Sequence, residues 1–190
     1  MHKQQTMSVV MATEAALGTV LLTAIEHGAP AGAIGVRAYV VRHRLVPPYR
    51  EHLSQLASAR LGAAPRPSGI AWTRGTGVIG RCWDEGKLVI MDLAAPYAAY
   101  REEPDTTWIT ASPDVSLNLT WTEFERLATV YARVAAAPVR DDSGRVRGCV
   151  AIDVAAGCGF VVDDGVQRTL AEAAVVVGRA LSRVPAWLYV

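Results

Sequence analysis

A chain of 190 residues is long enough for one domain with a sizeable core and short for two. Nineteen Lys and Arg against 18 Asp and Glu, with 51% hydrophobic residues, exclude a disordered tail and a surface coated for nucleic acid, and indicate a soluble globular protein. Cys82, Cys149 and Cys158 show no C-x-x-C spacing, which excludes a zinc ribbon, argues against a disulfide framework and points to a reducing cytoplasm.

Ser8 to Ile25 is mostly apolar, but Glu14 and the threonines Thr13, Thr19 and Thr23 interrupt it. It reads as a buried or dimerising helix over 7–27, not as a signal peptide or a membrane span. Ile34 to Val46 reads as a strand stopped by Pro47-Pro48, and Tyr49 to Leu61 as a helical segment before the Pro65-Arg66-Pro67 loop. A short run Gly69–Thr73, a glycine-rich turn, a brief helix to about Glu85 and a strand Leu88–Leu93 follow. Ala94 to Leu119, with Pro96, Pro104 and Pro113, reads as a long loop placed to cover a ligand. A helix is expected over Thr122–Tyr131, then strands Val134–Arg140 and Arg145–Val154 joined by a tight turn at Asp141-Asp142-Ser143-Gly144. In the last strand Val146, Val150, Ile152 and Val154 alternate with Arg145, Arg147, Cys149 and Asp153, the pattern of a half-buried strand.

The final helix, over 164–184, has Asp163 or Asp164 as N-cap and carries Leu170, Ala174, Val177 and Leu181 on one stripe, which Val175 and Val176 widen. Two terminal helices more apolar than one packing face requires imply contact with a second copy of the chain. No internal repeat or linker is present, so residues 1–190 are read as a single α+β domain, with the sheet and cavity loops over 34–154.

Gly75-Thr76-Gly77-Val78-Ile79-Gly80 matches the G-x-G-x-x-G dinucleotide fingerprint. However, Trp72-Thr73-Arg74 is not a buried strand, Gly86 ends the following helix early, and Asp92 lies too near to meet a ribose. The same residues fit another pattern. Gly75-x-Gly77-x-x-Gly80-Arg81, then Gly86-Lys87-Leu88-Val89-Ile90-x-Asp92, then Ala137-Pro138-Val139-Arg140-Asp141 through Gly144-Arg145-Val146-x-Gly148 to Ala151-Ile152-Asp153 together resemble a GAF domain. The resemblance is specific from about Trp72 to Val154 and poor over Pro47–Arg66, where the family more often has a strand hairpin. It implies an antiparallel sheet of about six strands, terminal helices on one face and a small-molecule cavity on the other.

The expected cavity walls are aromatic. Trp72, Trp83, Tyr97, Trp108, Trp121 and Tyr131 are the ligand candidates, with Tyr100 and Phe124 beside them; each also suits a core role. Arg74 and Arg81 flank the glycine turn and suit an anionic group. Asp92 joins them as a ligand candidate, although pairing of these arginines with Asp84, Glu85 or Asp92 is the alternative. Charge is uneven: Arg37 to Arg81 holds eight arginines against Glu51 alone, and Asp84 to Arg126 holds nine acids against three bases, so the segments are expected to attract each other.

No G-x-S-x-G, H-E-x-x-H or metal-ligand histidine spacing occurs, and no catalytic residue or metal is assigned. Sequence motifs for bilin attachment, cyclic-nucleotide binding and haem ligation are missing, so the cofactor is unknown. The resemblance implies a small-molecule-sensing or signalling regulatory domain, non-catalytic, binding an unidentified small ligand. It would act as a homodimer through the terminal helices or on a signalling partner in trans, without nucleic acid or membrane. The alternatives are a thiol-dependent reductase of the free methionine sulfoxide type using Cys82, whose resolving thiol is not evident because Cys149 and Cys158 lie far along the chain, or an adaptor with an empty pocket.

Overall fold

A computed structural model describes residues 2–43, 51–63, 68–102 and 107–183. Five antiparallel strands form one sheet in the order β2-β1-β5-β4-β3: β1 (Ile34–His43), β2 (Glu51–Arg60), β3 (Val89–Asp92), β4 (Tyr131–Arg140) and β5 (Val146–Ala155). The helices are α1 (His2–Glu26), α2 (Gly77–Glu85), α3 (Ala94–Tyr100), α4 (Pro113–Ser116), α5 (Trp121–Ala128) and α6 (Asp164–Ser182). The fold is α+β as expected, with five strands where about six were predicted. Gly69–Thr73 forms no strand and touches the sheet edge through the Leu53 N–H donating to the Trp72 carbonyl at 2.8 Å.

Several expected elements differ. The segment predicted as a helix over Tyr49–Leu61 is the edge strand β2, described from Glu51 on and paired with β1. Its register shifts by one residue, Ala38 facing Ala57 and Tyr39 facing Gln55, so that Leu56 is an extra residue. That bulge sends Leu53 to one face and Leu56 and Ala57 to the other, a spacing that mimics one helix turn. Residues 44–50, which include the Pro47-Pro48 stop, lie outside the described residues. The predicted loop 94–119 contains α3, a 3-10 turn at Trp108–Thr110 and α4. The predicted helix ending at Tyr131 is α5, which stops at Ala128, and Tyr131 instead opens β4. β5 is not half-buried: Gly148 to Val154 are all buried, because the strand is central and both its faces are covered.

Two apolar clusters sandwich the sheet. On one face α1 and α6 pack against each other and onto the strands. Val9, Thr13, Leu17, Val20, Leu21 and Ala24 form the inward stripe of α1; Val166, Leu170, Ala174, Val177 and Leu181 form that of α6. The buried Thr13 hydroxyl donates back to the Val9 carbonyl at 2.8 Å, which satisfies it within the helix. The end of α1 meets the start of α6 where His27 Nδ1 lies 2.7 Å from Asp163, so the two helices run antiparallel. Asp163 is the α6 N-cap and accepts the Val166 N–H at 3.0 Å. By length and composition Met7–Glu26 is apolar enough to cross a membrane, and its inward stripe is packed within this fold. Met7, Met11 and Leu22 on α1 and Val175 and Val176 on α6 remain exposed. On the opposite face α2 to α5 and their connections cover the sheet and enclose the second cluster.

Candidate functional site

The glycine turn before α2 is built by its backbone. Gly77 has φ +64°, and a Cβ there would meet the Trp72 ring; a Cβ at Gly80 would strike the Thr73 carbonyl. The turn's amides are already engaged: the Gly75 N–H donates to Gly80 at 3.0 Å and the Gly77 N–H to the Leu117 carbonyl at 2.8 Å. Asn118 Nδ2 donates to the Gly75 carbonyl at 2.9 Å, clipping the covering segment to the turn. Helix α2 has only nine residues and ends at Gly86 in the left-handed region. A turn with occupied amides before so short a helix does not offer a pyrophosphate seat.

Beneath this turn an apolar cavity of about 50 Å³ opens between the sheet and its cover. Trp72, Val78, Ile79, Leu93, Leu117 and Leu127 line it from the cover, and Tyr131, Val134 and Ala151 from the sheet. One end is polar: Arg37 and Tyr39 of β1 and Asp153 of β5. Arg37 Nη1 lies 3.0 Å from Asp153, and Arg37 Nη2 donates to the Tyr131 hydroxyl at 3.2 Å. Arg60 of β2 pairs with the other oxygen of the same carboxylate. Burial alone would lower the Arg37 guanidinium, but Asp153 and the two tyrosines outweigh it and raise it further. Burial pushes the Tyr39 phenol up to about 12, and pushes the Asp153 carboxyl up against the pull of both arginines.

Of the residues singled out in the sequence, Trp72 and Tyr131 line this cavity. The others do not. Arg74 lies 4.4 Å over the Trp83 ring and pairs with Glu51 at 3.3 Å. Arg81 bonds Glu85 and Asp114, each at 2.6 Å, which ties the basic segment to the acidic one. Asp92 accepts the N–H groups of Ala94 and Ala95 and pairs with Arg133 at 2.6 Å, seating the start of α3. Trp83 is fully buried in the second cluster. Tyr97, Trp108 and Trp121 pack with Tyr100 and Phe124: Tyr97 stacks on Trp121 at 5.8 Å, and Trp108 meets Trp121 at 5.2 Å and Phe124 at 4.5 Å. These rings form the core of the cover. Arg37, Tyr39 and Asp153 were not singled out as ligand-facing; the signal available was a polar side chain alternating onto the inner face of a strand rich in apolar residues.

The three cysteines are free, and Cys82 and Cys149 are neighbours although distant in sequence. The thiol neighbour that the sequence does not make evident is thus Cys149, because α2 packs on the sheet over β4 and β5. Burial pushes the Cys149 thiol well up, and the adjacent Cys82 adds to the effect. Both sulfurs are fully buried, and neither lines the cavity. Among the described residues no group of three or more His, Cys, Asp or Glu is placed to hold a metal ion.

No protein-family profile and no curated protein matches the chain. Among solved structures, it is similar to the GAF domain region of a Geobacter sulfurreducens PCA protein, at 14% identity and TM-score 0.57, over 96% of this chain and 98% of that one. It is also similar to the type II free methionine-R-sulfoxide reductase of Thermoplasma acidophilum, at 14% identity and TM-score 0.55, over 94% of this chain and 96% of that one. The fold is therefore GAF-like. Such a fold hosts both binding modules and enzymes and does not choose between them.

Proposed function

We propose that this GAF-like domain is a non-catalytic sensory or regulatory module that binds a small molecule in the cavity between the sheet and its cover. The apolar cavity with one charged end carries this reading. A ligand filling it favours one arrangement of the cover over others, and the sheet passes that preference to α1 and α6 on its far face. The exposed Met7, Met11, Leu22, Val175 and Val176 supply the apolar surface through which the terminal helices meet a second copy or a partner in trans. The odd number and spacing of the three cysteines place the domain, in this reading, in a reducing cytoplasm.

The test is native mass spectrometry of the purified protein before and after denaturation, with a tryptophan-fluorescence titration against small metabolites. A retained molecule, or a quench lost in Trp72→Phe, supports the sensor. An empty protein that answers no ligand overturns it in favour of a protein-interaction adaptor.

The contact between Cys82 and Cys149 favours a second reading, thiol-dependent reduction of a sulfoxide. In that reaction the sulfoxide oxygen leaves as water, the two thiols become a disulfide, and an external dithiol restores them. Full burial of both sulfurs outside the cavity weighs against it. Turnover of free methionine sulfoxide with a dithiol reductant, abolished in Cys82→Ser, would favour the reductase; no turnover favours the sensor.

A further inference from the structure

We infer that the ligand of this cavity is a small monoanion with an apolar body, its anionic group seated on Arg37 between the hydroxyls of Tyr39 and Tyr131. The inference rests on the cavity reading above and adds the chemical class. It follows from the charge at the polar end. Two guanidiniums, Arg37 and Arg60, share one carboxylate, Asp153, which is the only acid among the described residues lining the cavity. Both arginines are held deep, at 18% and 11% side-chain exposure, and neither can lose its proton. At least one positive charge is thus left over in a weakly hydrated place, where an uncompensated charge is costly.

The donor geometry agrees. The contacts of Arg37 with Asp153 and Tyr131 leave further N–H groups on the guanidinium. Arg37 lines the open space, so an oxyanion there would receive charge-assisted bonds. The Tyr131 hydroxyl accepts from Arg37 and therefore keeps its own proton to donate. The Tyr39 phenol, held up at about 12, also stays protonated at neutral pH. A cation would meet repulsion at this end, and a neutral amide would lose the charge assistance. The rest of the wall, including Trp72, Val78, Ile79, Leu117 and Leu127, suits an aryl or alkyl body.

The experiment is isothermal titration calorimetry of the full chain at neutral pH with phenylacetate, phenylacetamide and phenethylamine, which share a body and differ in charge. The expected result is that the acid binds about tenfold tighter than the amide or better, and that the amine does not bind. Arg37→Met leaves the Arg60–Asp153 pair in place and should bring the acid to the level of the amide. Tyr131→Phe, which keeps the ring, should weaken the acid several-fold. Circular dichroism of both variants reports folding, and should Arg37→Met not fold, Tyr131→Phe decides. An amide or amine that binds as tightly as the acid, or an acid affinity unchanged in the variants, overturns the inference and leaves the cavity reading standing. If none of the three binds, the charge of the molecule retained in native mass spectrometry decides: an anion supports the inference, and a neutral or cationic molecule overturns it alone. An empty protein overturns both.

Discussion

Replacing Trp83 by Phe should leave stability nearly unchanged although the residue is 1% exposed. Among the described residues its indole N–H has no acceptor, and leaving a buried donor unpaired costs about 1–3 kcal/mol, which the substitution removes. Against that, the smaller ring forfeits about 1.5–2 kcal/mol of burial and residual-cavity energy. It also weakens the attraction of Arg74, 4.4 Å above the ring, by about 0.5 kcal/mol. The terms offset to within about 1.5 kcal/mol, whereas Trp83→Ala should cost about 3–5 kcal/mol. Urea unfolding followed by far-ultraviolet circular dichroism measures both variants. A loss above about 2 kcal/mol for Trp83→Phe would refute the reasoning, because it would mean that the indole N–H makes a bond worth keeping. Trp83 does not line the cavity, so ligand binding should also survive in Trp83→Phe while changing in Trp72→Phe.

Gly77→Ala should destabilise the protein by about 2 kcal/mol, from the left-handed φ of +64° and collision with the Trp72 ring, with a shift in tryptophan emission; urea unfolding and emission spectra check both. The bonds from His27 and the Val166 amide hold the Asp163 carboxyl below the ordinary aspartate range. Its contribution is therefore present above the unfolded value, near 3.8, and lost as pH falls through the lower folded value. Thermal melts from pH 7 to pH 2.5 should show a smaller acid loss in Asp163→Asn than in the parent, and equal losses would count against this account. Native maleimide labelling read by mass should add one adduct, at the partly exposed Cys158, and three after denaturation; an adduct at Cys82 in the folded protein would show that the thiol pair is reachable.

Much of the architecture was legible because its signals are local. The glycine turn, the short helix closed by Gly86, the hairpin at Asp141–Gly144 and the terminal helices each carry their own turn or periodic residues. β2 was misread because its bulge at Leu56 breaks the two-residue alternation and leaves Leu53 and Ala57 buried at helix-like spacing. Within the cover only residues 94–119 read as a loop, because α3 and α4, at seven and four residues, are too short to show a period. The candidate site was legible only at its wall. Arg37, Arg60 and Asp153 meet because β1 lies between β2 and β5, a neighbourhood that no local pattern states, and the contact of Cys82 with Cys149 depends on the same topology.

The central place of β5 has a consequence for how the chain reaches this state. Its partner β4 is joined to it by the tight turn at Asp141–Gly144, whereas its other partner β1 lies far back in the chain, and the sheet joins only when the β1–β5 ladder forms. Val150, Ile152 and Val154 belong to the cluster under α1 and α6, while Cys149 and Ala151 belong to the cluster under the cover. This one long-range pairing therefore completes both clusters, which predicts slow folding and open strand edges on β1 and β5 until it occurs. The two halves should then unfold in a single transition, because neither keeps its interior once the β1–β5 ladder parts.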